Sequence, residues 1–315
     1  MNMEYSKFKV SVRCFTFNQA TYITDALNGF TMQKTDFPFV CTIVDDASTD
    51  GEQQVIMDYL DEHFDRSDSS VAYHKETDYA HVYYAQHKIN KNCYFAVLFL
   101  KENHYSQKKS KLPYLEEWRN MAEYEAICEG DDYWIVPDKL QQQTNFMDNH
   151  GDCALVFSNA NVVYDMKCNS QVVDLYSHLH EGKYTGEELL SRWTVPTASV
   201  LFRSSMSVEI PSDTRFIFGD IVIFLTAASY GEVYCINDKM VCYRRNPAGV
   251  SMIKQDYTKL FYHYQAISEH FGGRYEKVLV KLQSRCLIMG FLSGHLCKES
   301  WHYFFKAFNS RQLLL

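Results

Sequence analysis

The sequence predicts an α/β layered fold, a mixed and mainly parallel sheet flanked by helices, followed by a helical C-terminal extension. Three observations carry this. The first sixty residues alternate short apolar runs with stretches of helical spacing, in the order strand, helix, strand, helix. Acidic turns, Asp45-Asp46 and Asp131-Asp132, stand at the ends of apolar runs. Residues 251–315 carry an amphipathic helical pattern with no turn-rich linker before them.

Residues 8–15 alternate in part and predict a first strand, with Thr16-Phe17-Asn18-Gln19 as the polar turn after it. Tyr22, Ile23, Ala26, Leu27 and Phe30 then recur at helical spacing. Residues 37–44 are a short apolar run and predict a buried strand. Thr49 and Glu52 have the spacing of a capping box for the next helix, whose inner face is Val55, Ile56, Tyr59 and Leu60. In parallel sheets of this kind ligands gather at the carboxyl ends of the strands. Thr16-Phe17-Asn18 and Asp45-Asp46 both fall at that edge.

Residues 81–86 and 92–100 fit strand and helix equally. Residues 101–111 form a polar loop whose lysines, at 101, 108, 109 and 111, read as a solvated face that also suits anionic lipid headgroups. Residues 123–128 predict a strand running into Gly130-Asp131-Asp132. Pro137 suits the first turn of a helix extending to about Asn149 and closed by Gly151. Residues 152–159 and 196–203 predict further strands, and residues 221–228 a buried helix ending at Gly231.

The 315 residues are 46% hydrophobic, enough for the core of one large domain with an appendage. A net charge of −8 with no basic face argues against a nucleic-acid partner. None of the ten cysteines forms a CxxC pair and several sit in apolar runs, which predicts buried free thiols in a reducing compartment. Residues 1–7 carry no apolar signal, and the longest apolar stretches are too short to cross a bilayer. The expected location is cytoplasmic, with peripheral contact to the inner face of the cytoplasmic membrane as a second reading.

Paired carboxylates on a tight turn after a strand are a ligand set for a hard divalent cation such as Mn²⁺ or Mg²⁺, which then neutralises a departing diphosphate. Val10-Ser11-Val12 through Thr16-Phe17-Asn18, then Ile43-Val44-Asp45-Asp46-Ala47-Ser48-Thr49-Asp50-Gly51, then Glu129-Gly130-Asp131-Asp132-Tyr133-Trp134 with Pro137-Asp138-Lys139-Leu140, stand in order. Together they resemble the family 2 inverting glycosyltransferases, nearest to bacterial enzymes that build cell-surface polysaccharides. The likeness runs from about residue 8 to about 250.

The resemblance implies the GT-A fold (Rossmann-like, of nucleotide-diphospho-sugar transferases) over residues 1–250, with 251–315 as the helical extension. It implies a nucleotide-diphosphate sugar as donor and a saccharide or lipid-linked saccharide as acceptor. Thr16, Phe17 and Asn18 would lie near the nucleoside, Asp46 would accept a hydrogen bond from the base, and Asp45 would lie beside it. Asp131 would contact the ribose or the metal, and Asp132 would be the principal metal ligand. Asp220 matches the catalytic base, which takes the acceptor hydroxyl proton. Relatives commonly carry Glu-Asp where this chain has Gly219-Asp220, and a histidine where it has Asn246. Arg244 or Arg245 would contact phosphate.

Plainer readings stand beside these. Asp220 is also placed to cap the helix after it. Phe17 suits the core as well as a stacking role, and Arg203 reads as a strand-end arginine rather than part of an acceptor site. His178 and His180 read as an exposed loop. For the whole chain, a nucleotidyltransferase is disfavoured because the loop after the first strand has no glycine or basic residue. A catalytically silent nucleotide-sugar binder is left open by Gly219 and Asn246.

Overall fold

The computed structural model describes residues 7–164, 171–173, 175–192, 194–245 and 256–293. The chain opens with β1 (Phe8–Thr16), α1 (Ile23–Thr31), β2 (Phe39–Asp45) and α2 (Glu52–His63). Four strands follow: β3 (Phe64–Asp65), β4 (Tyr73–Glu76), β5 (Ala80–His87) and β6 (Cys93–Leu100). The short α3 (Glu116–Arg119) leads into β7 (Ala122–Ile127), β8 (Tyr133–Trp134), α4 (Lys139–Asn149) and β9 (Cys153–Tyr164). The remainder comprises β10 (Gln171–Val173), β11 (Gly182–Tyr184), α5 (Gly186–Ser191), β12 (Leu201–Arg203), α6 (Gly219–Tyr230), β13 (Glu232–Arg245), α7 (Tyr257–His270) and α8 (Glu276–Leu292).

The thirteen strands form one mixed sheet whose main path runs β11-β13-β9-β12-β7-β1-β2-β6-β5-β3. Its centre is parallel: β7 with β1, β1 with β2, and β2 with β6. All seven residues of β2 are buried, which is why its sequence is a continuous apolar run. Helix α1 covers one face with Ile23, Ala26, Leu27 and Phe30, all fully buried. Each large side chain among them contributes about 1.5–3 kcal/mol on leaving water. Gly29 lets that helix come close, since a Cβ there would lie 2.9 Å from the Trp134 backbone nitrogen.

The two ambiguous segments are the strands β5 and β6; β6 is buried at seven of its eight positions, as a strand covered on both faces must be. The strand expected over residues 196–203 is only Leu201–Arg203. Pro196 lacks an N–H, and its carbonyl accepts from the Ser199 amide and hydroxyl, so Thr197–Ser199 turns as a 3₁₀ helix. The Ala198 carbonyl accepts instead from the Trp134 indole at 2.8 Å.

At the C-terminal end, Ile267, Tyr275 and Leu279 cluster with Leu190 of α5 and Leu225 of α6, so α7 and α8 dock on the sheet's helical layer. Gly186 permits this approach, because a Cβ there would meet the Tyr275 ring at 2.5 Å. Residues 294–315 of the expected helical extension lie outside the described residues. Among the described residues, eight cysteines are free and buried, and no helix is long and apolar enough to cross a membrane.

Candidate functional site

The register of the central strands sets the site. Thr16 at the end of β1 pairs with Asp45 at the end of β2, and Arg13 pairs with Ile127, so the turn after β7 emerges at the same edge. Three sequence-singled segments, at 16–18, 45–46 and 129–132, are thereby brought together.

Glu52 joins the first two. Its carboxylate, fully buried, accepts the Thr16 hydroxyl, the Gln19 amide at 2.9 Å and the Ser48 hydroxyl at 2.9 Å. The expected capping box between Thr49 and Glu52 does not form. Gly51 occupies the N-cap position of α2 without a side-chain cap, and Asp50 accepts the Glu52 amide. Spacing identified Glu52 as a local cap, whereas its carboxylate faces across to the β1 loop. Asn18 adds a second tie, with its amide to Ser48 Oγ at 2.9 Å and its Oδ1 from the Thr49 amide at 2.8 Å. Asn18 and Ala47 both have positive φ, 54° and 60°. That conformation costs a non-glycine residue roughly 1–2 kcal/mol and is held here by these cross-loop bonds. Phe17 is exposed at the edge rather than part of the core.

Asp45 and Asp46 are both fully buried but differ in what they meet. Asp46 accepts the His104 amide at 2.7 Å, the Tyr105 amide at 3.0 Å and the Lys111 ammonium at 2.9 Å. Burial pushes its pKa up, but these donors outweigh it and hold the carboxyl below its ordinary value. The base-accepting role expected of Asp46 therefore conflicts with its geometry, since both oxygens are engaged. Lys111 likewise leaves the solvated lysine face assigned to it. Asp45 accepts the Ser48 amide and the Gln53 side chain on Oδ1, while Oδ2 is buried with no partner. Burial raises its pKa, against those bonds.

The acidic turn is held tightly. The Gly130 amide donates to the Phe15 carbonyl, and a Cβ on Gly130 would lie 2.3 Å from Thr16 Oγ1 and 2.5 Å from Gln19 Oε1. Asp132 is buried and accepts the Arg244 amide on Oδ1 at 2.8 Å. β8 pairs with β13 at Cys242–Tyr133, which delivers Arg244 to this turn. Burial lifts the Asp132 carboxyl well above its ordinary range, and Asp131 adds repulsion. Burial likewise raises Asp131, opposed by Arg244 and Gln19.

Arg244 does not stand open toward a phosphate as expected. Its guanidinium donates to the Asp131 carbonyl at 2.8 Å and to Asp25 at 2.7 Å, between the rings of Tyr22 and Tyr133. Arg245 donates to the Tyr164 hydroxyl at 2.7 Å, and its Nε is buried without a partner. Asn246 lies outside the described residues.

Asp220 stands in the first turn of α6 rather than at its N-cap, which is Phe218. Its Oδ2 accepts the Thr197 hydroxyl at 3.1 Å and its Oδ1 the Ile221 amide at 3.0 Å. Burial raises its pKa, against these bonds and Arg13. Glu129, quoted above only as part of a motif, shares the field of Asp220. Its pKa rises to about 7 through burial, then repulsion by Asp131 and Asp220, with Arg13 and Lys111 opposing. Its side chain is solvent-accessible, which tempers the contribution of burial. Sequence reasoning also missed Arg13, Asp25, Lys111 and Thr197 in these contacts. No short motif marks them, because each acts across more than twenty residues of chain.

Arg203 clamps the end of α4, donating to the carbonyls of Cys153 and Met147 at 2.9 and 3.1 Å. His180 stacks on Tyr184, and neither His178 nor His180 belongs to a group of three or more candidate metal ligands among the described residues.

No protein-family model matches the chain. Uncharacterised proteins of Mycobacterium tuberculosis and Mycobacterium bovis are 27% identical over 245 residues. The match covers 76% of this chain and 60% of their length, so the chain matches less than two thirds of these relatives. Among solved structures, Staphylococcus aureus TarS 1–349 in complex with UDP-GlcNAc superposes with a TM-score of 0.59 at 15% identity, over 95% of this chain and 79% of that one. The mannosyltransferase PcManGT from Pyrobaculum calidifontis, in complex with GDP-Man and Mn²⁺, gives 0.51 at 13% identity over 98% and 81%. Likeness at these identities speaks for architecture: this chain has the GT-A fold of those glycosyltransferases.

Proposed function

We propose that the chain is a metal-dependent, inverting glycosyltransferase of the family 2 type, moving a sugar from a nucleoside diphosphate to an acceptor hydroxyl in cell-surface polysaccharide synthesis. The observation that carries this reading is the convergence of the buried carboxylates Asp45 and Asp132 and the half-buried Asp131 on one edge of the parallel sheet, with Asp220 brought beside Glu129. That is the edge where α/β sheets bind ligands. Two fold neighbours were solved with a nucleotide sugar, and one of those with Mn²⁺ as well.

The residues fit a hard divalent cation. Asp131 and Asp132 offer oxygen ligands only, repel each other, and have their nearest arginine committed to Asp25 and a backbone carbonyl. Asp132 is the principal ligand in this reading and Asp131 the second. When bound, Mn²⁺ or Mg²⁺ supplies Lewis-acid neutralisation of the leaving diphosphate. Asp45, with one oxygen unpartnered, takes over the base-recognition role first assigned to Asp46, and exposed Phe17 stacks on the nucleoside. Thr16 and Asn18 set the loop that carries it.

Asp220 accepts the acceptor hydroxyl proton on its carboxylate. The acceptor oxygen bonds to the anomeric carbon from the face opposite the diphosphate, and the anomeric carbon–oxygen bond to phosphate breaks. A positioned base contributes about 10²–10⁴ in rate. Thr197 and the Ile221 amide hold that carboxylate in place. The chain is placed in the cytoplasm, where nucleotide sugars are substrates.

A thermal-shift screen of nucleotide sugars with and without Mn²⁺ tests the reading, because a bound ligand stabilises by mass action. A metal-dependent rise in melting temperature is expected with at least one UDP- or GDP-sugar, lost in Asp132→Ala. No shift with any sugar nucleotide sinks the reading.

A further inference from the structure

A second concavity lies where the C-terminal helices dock. α5, the first turn of α6, α7 and α8 enclose a slot of about 270 Å³. Leu190, Phe218, Ile221, Leu260 and Leu282 give it apolar walls. Its volume is at the lower end of sites that hold small organic ligands and too small for a whole nucleotide sugar. Arg192 and Arg285 line it, both solvent-exposed and neither ion-paired among the described residues. Among the described residues no acidic side chain lines the slot, in a chain whose net charge is −8. The local charge is thus opposite in sign to that of the whole chain.

The inner wall adds an unmet polar group. His263 is fully buried and its Nε2 has no hydrogen-bond partner, while the Ile217 amide approaches Nδ1 at 3.4 Å. Burial keeps the ring neutral, with its pKa lowered to about 4. With Nδ1 accepting, Nε2 carries the proton and is an unpaired donor.

We propose that this slot binds an amphiphile with an apolar chain and an anionic, phosphate-type head. The chain packs on the leucines and Phe218, and the head meets the two guanidiniums, whose planar donors suit phosphate oxygens. Phe218 at the N-cap of α6 and Ile221 in its first turn are three residues apart and line the slot together, whereas Asp220 between them does not line it.

Calorimetric titration of the full chain with decyl phosphate, below its micelle concentration and without nucleotide, tests the site. Saturable binding is expected, with 1-decanol and inorganic phosphate each at least tenfold weaker. Replacing both arginines (Arg192→Ala, Arg285→Ala) is expected to weaken decyl phosphate at least tenfold, leaving the melting temperature and UDP binding unchanged. Leu282→Trp, which fills the slot from a half-buried position, should weaken it as well. Equal affinity in the double variant, or decanol binding as tightly as its phosphate, overturns the proposal. Uptake of decyl phosphate by a chain that binds no nucleotide sugar would retain the amphiphile site and remove the glycosyltransferase reading alone. Nucleotide-sugar binding without decyl phosphate binding would remove the slot proposal alone.

Discussion

Lys111 sets its ammonium 2.9 Å from Asp46 Oδ2 across sixty-five residues of chain, while the adjacent Asp45 keeps one carboxylate oxygen without a partner. In the proposed function the two consecutive aspartates therefore divide between anchoring and nucleotide recognition. Asp46→Asn removes the charge that a half-buried ammonium and two amides share, and is expected to cost on the order of 3 kcal/mol in urea unfolding. Asp45→Asn removes a carboxylate whose pKa burial already raises, so its stability should change by less than about 1 kcal/mol. UDP affinity, measured by calorimetry, should fall at least tenfold in Asp45→Asn. A stable Asp46→Asn with lost UDP binding would return the base-recognition role to Asp46.

Gly130 is a second point where little room exists. An added methyl would press on Thr16 and Gln19, both tied to neighbouring groups, and Glu52 holds Thr16 from the other side. Gly130→Ala must displace the acidic turn or the β1 loop, at a cost of about 1–3 kcal/mol. The secondary structure should survive by circular dichroism while Mn²⁺-dependent stabilisation is lost. Retention of that stabilisation would show that the turn's position is not what organises the carboxylates.

The parallel order of the sheet was legible because β1 ends in a polar turn and β2 in an acidic one, each followed by helical spacing, a pattern local to each segment. The carboxylate clusters were legible for the same reason. What spacing concealed is pairing between distant segments. Glu52 matched a capping box, yet its partners Thr16 and Gln19 lie more than thirty residues away and compete for the same carboxylate. Arg244 fitted a phosphate contact by type, but strand pairing of β8 with β13 turned it onto Asp131 and Asp25. The strand expected from residue 196 shortened because Pro196 and Ser199 satisfy each other locally before the ladder begins.

In the proposed reaction Asp220 and Glu129 are the two candidate bases, and kinetics separate them. Glu129, raised by burial and by Asp131 and Asp220 but with its side chain solvent-accessible, is the alternative proton acceptor, whereas Asp220 has its orientation fixed by Thr197. Asp220→Asn is expected to lower kcat by about 10²–10⁴ with the donor Kd unchanged. Glu129→Gln should lower kcat by less than about tenfold, if its part is electrostatic. The opposite ranking, with donor binding intact in both variants, would move the base to Glu129.

Lys139 carries a pH signature separate from catalysis. It is fully buried in α4, donates to Gln143 Oε1 at 2.7 Å, and lies 4.3 Å from the centre of the Trp134 ring, with no carboxylate partner among the described residues. Burial lowers its pKa from 10.5 to about 7. Between those values the unfolded chain binds the proton and the folded chain does not, so stability from this group rises with pH across that window. Below pH 7 both states are protonated and the full cost of burying the charge is present. Lys139→Met removes the titration, so its melting temperature relative to the parent should be highest near pH 7 and decline steadily toward pH 10. Loss of the Gln143 bond shifts that whole curve down by a constant amount and leaves its slope untouched. A difference that stays flat from pH 7 to pH 10, followed by calorimetry, would mean that Lys139 keeps its charge in the folded state, held by the face of the Trp134 ring.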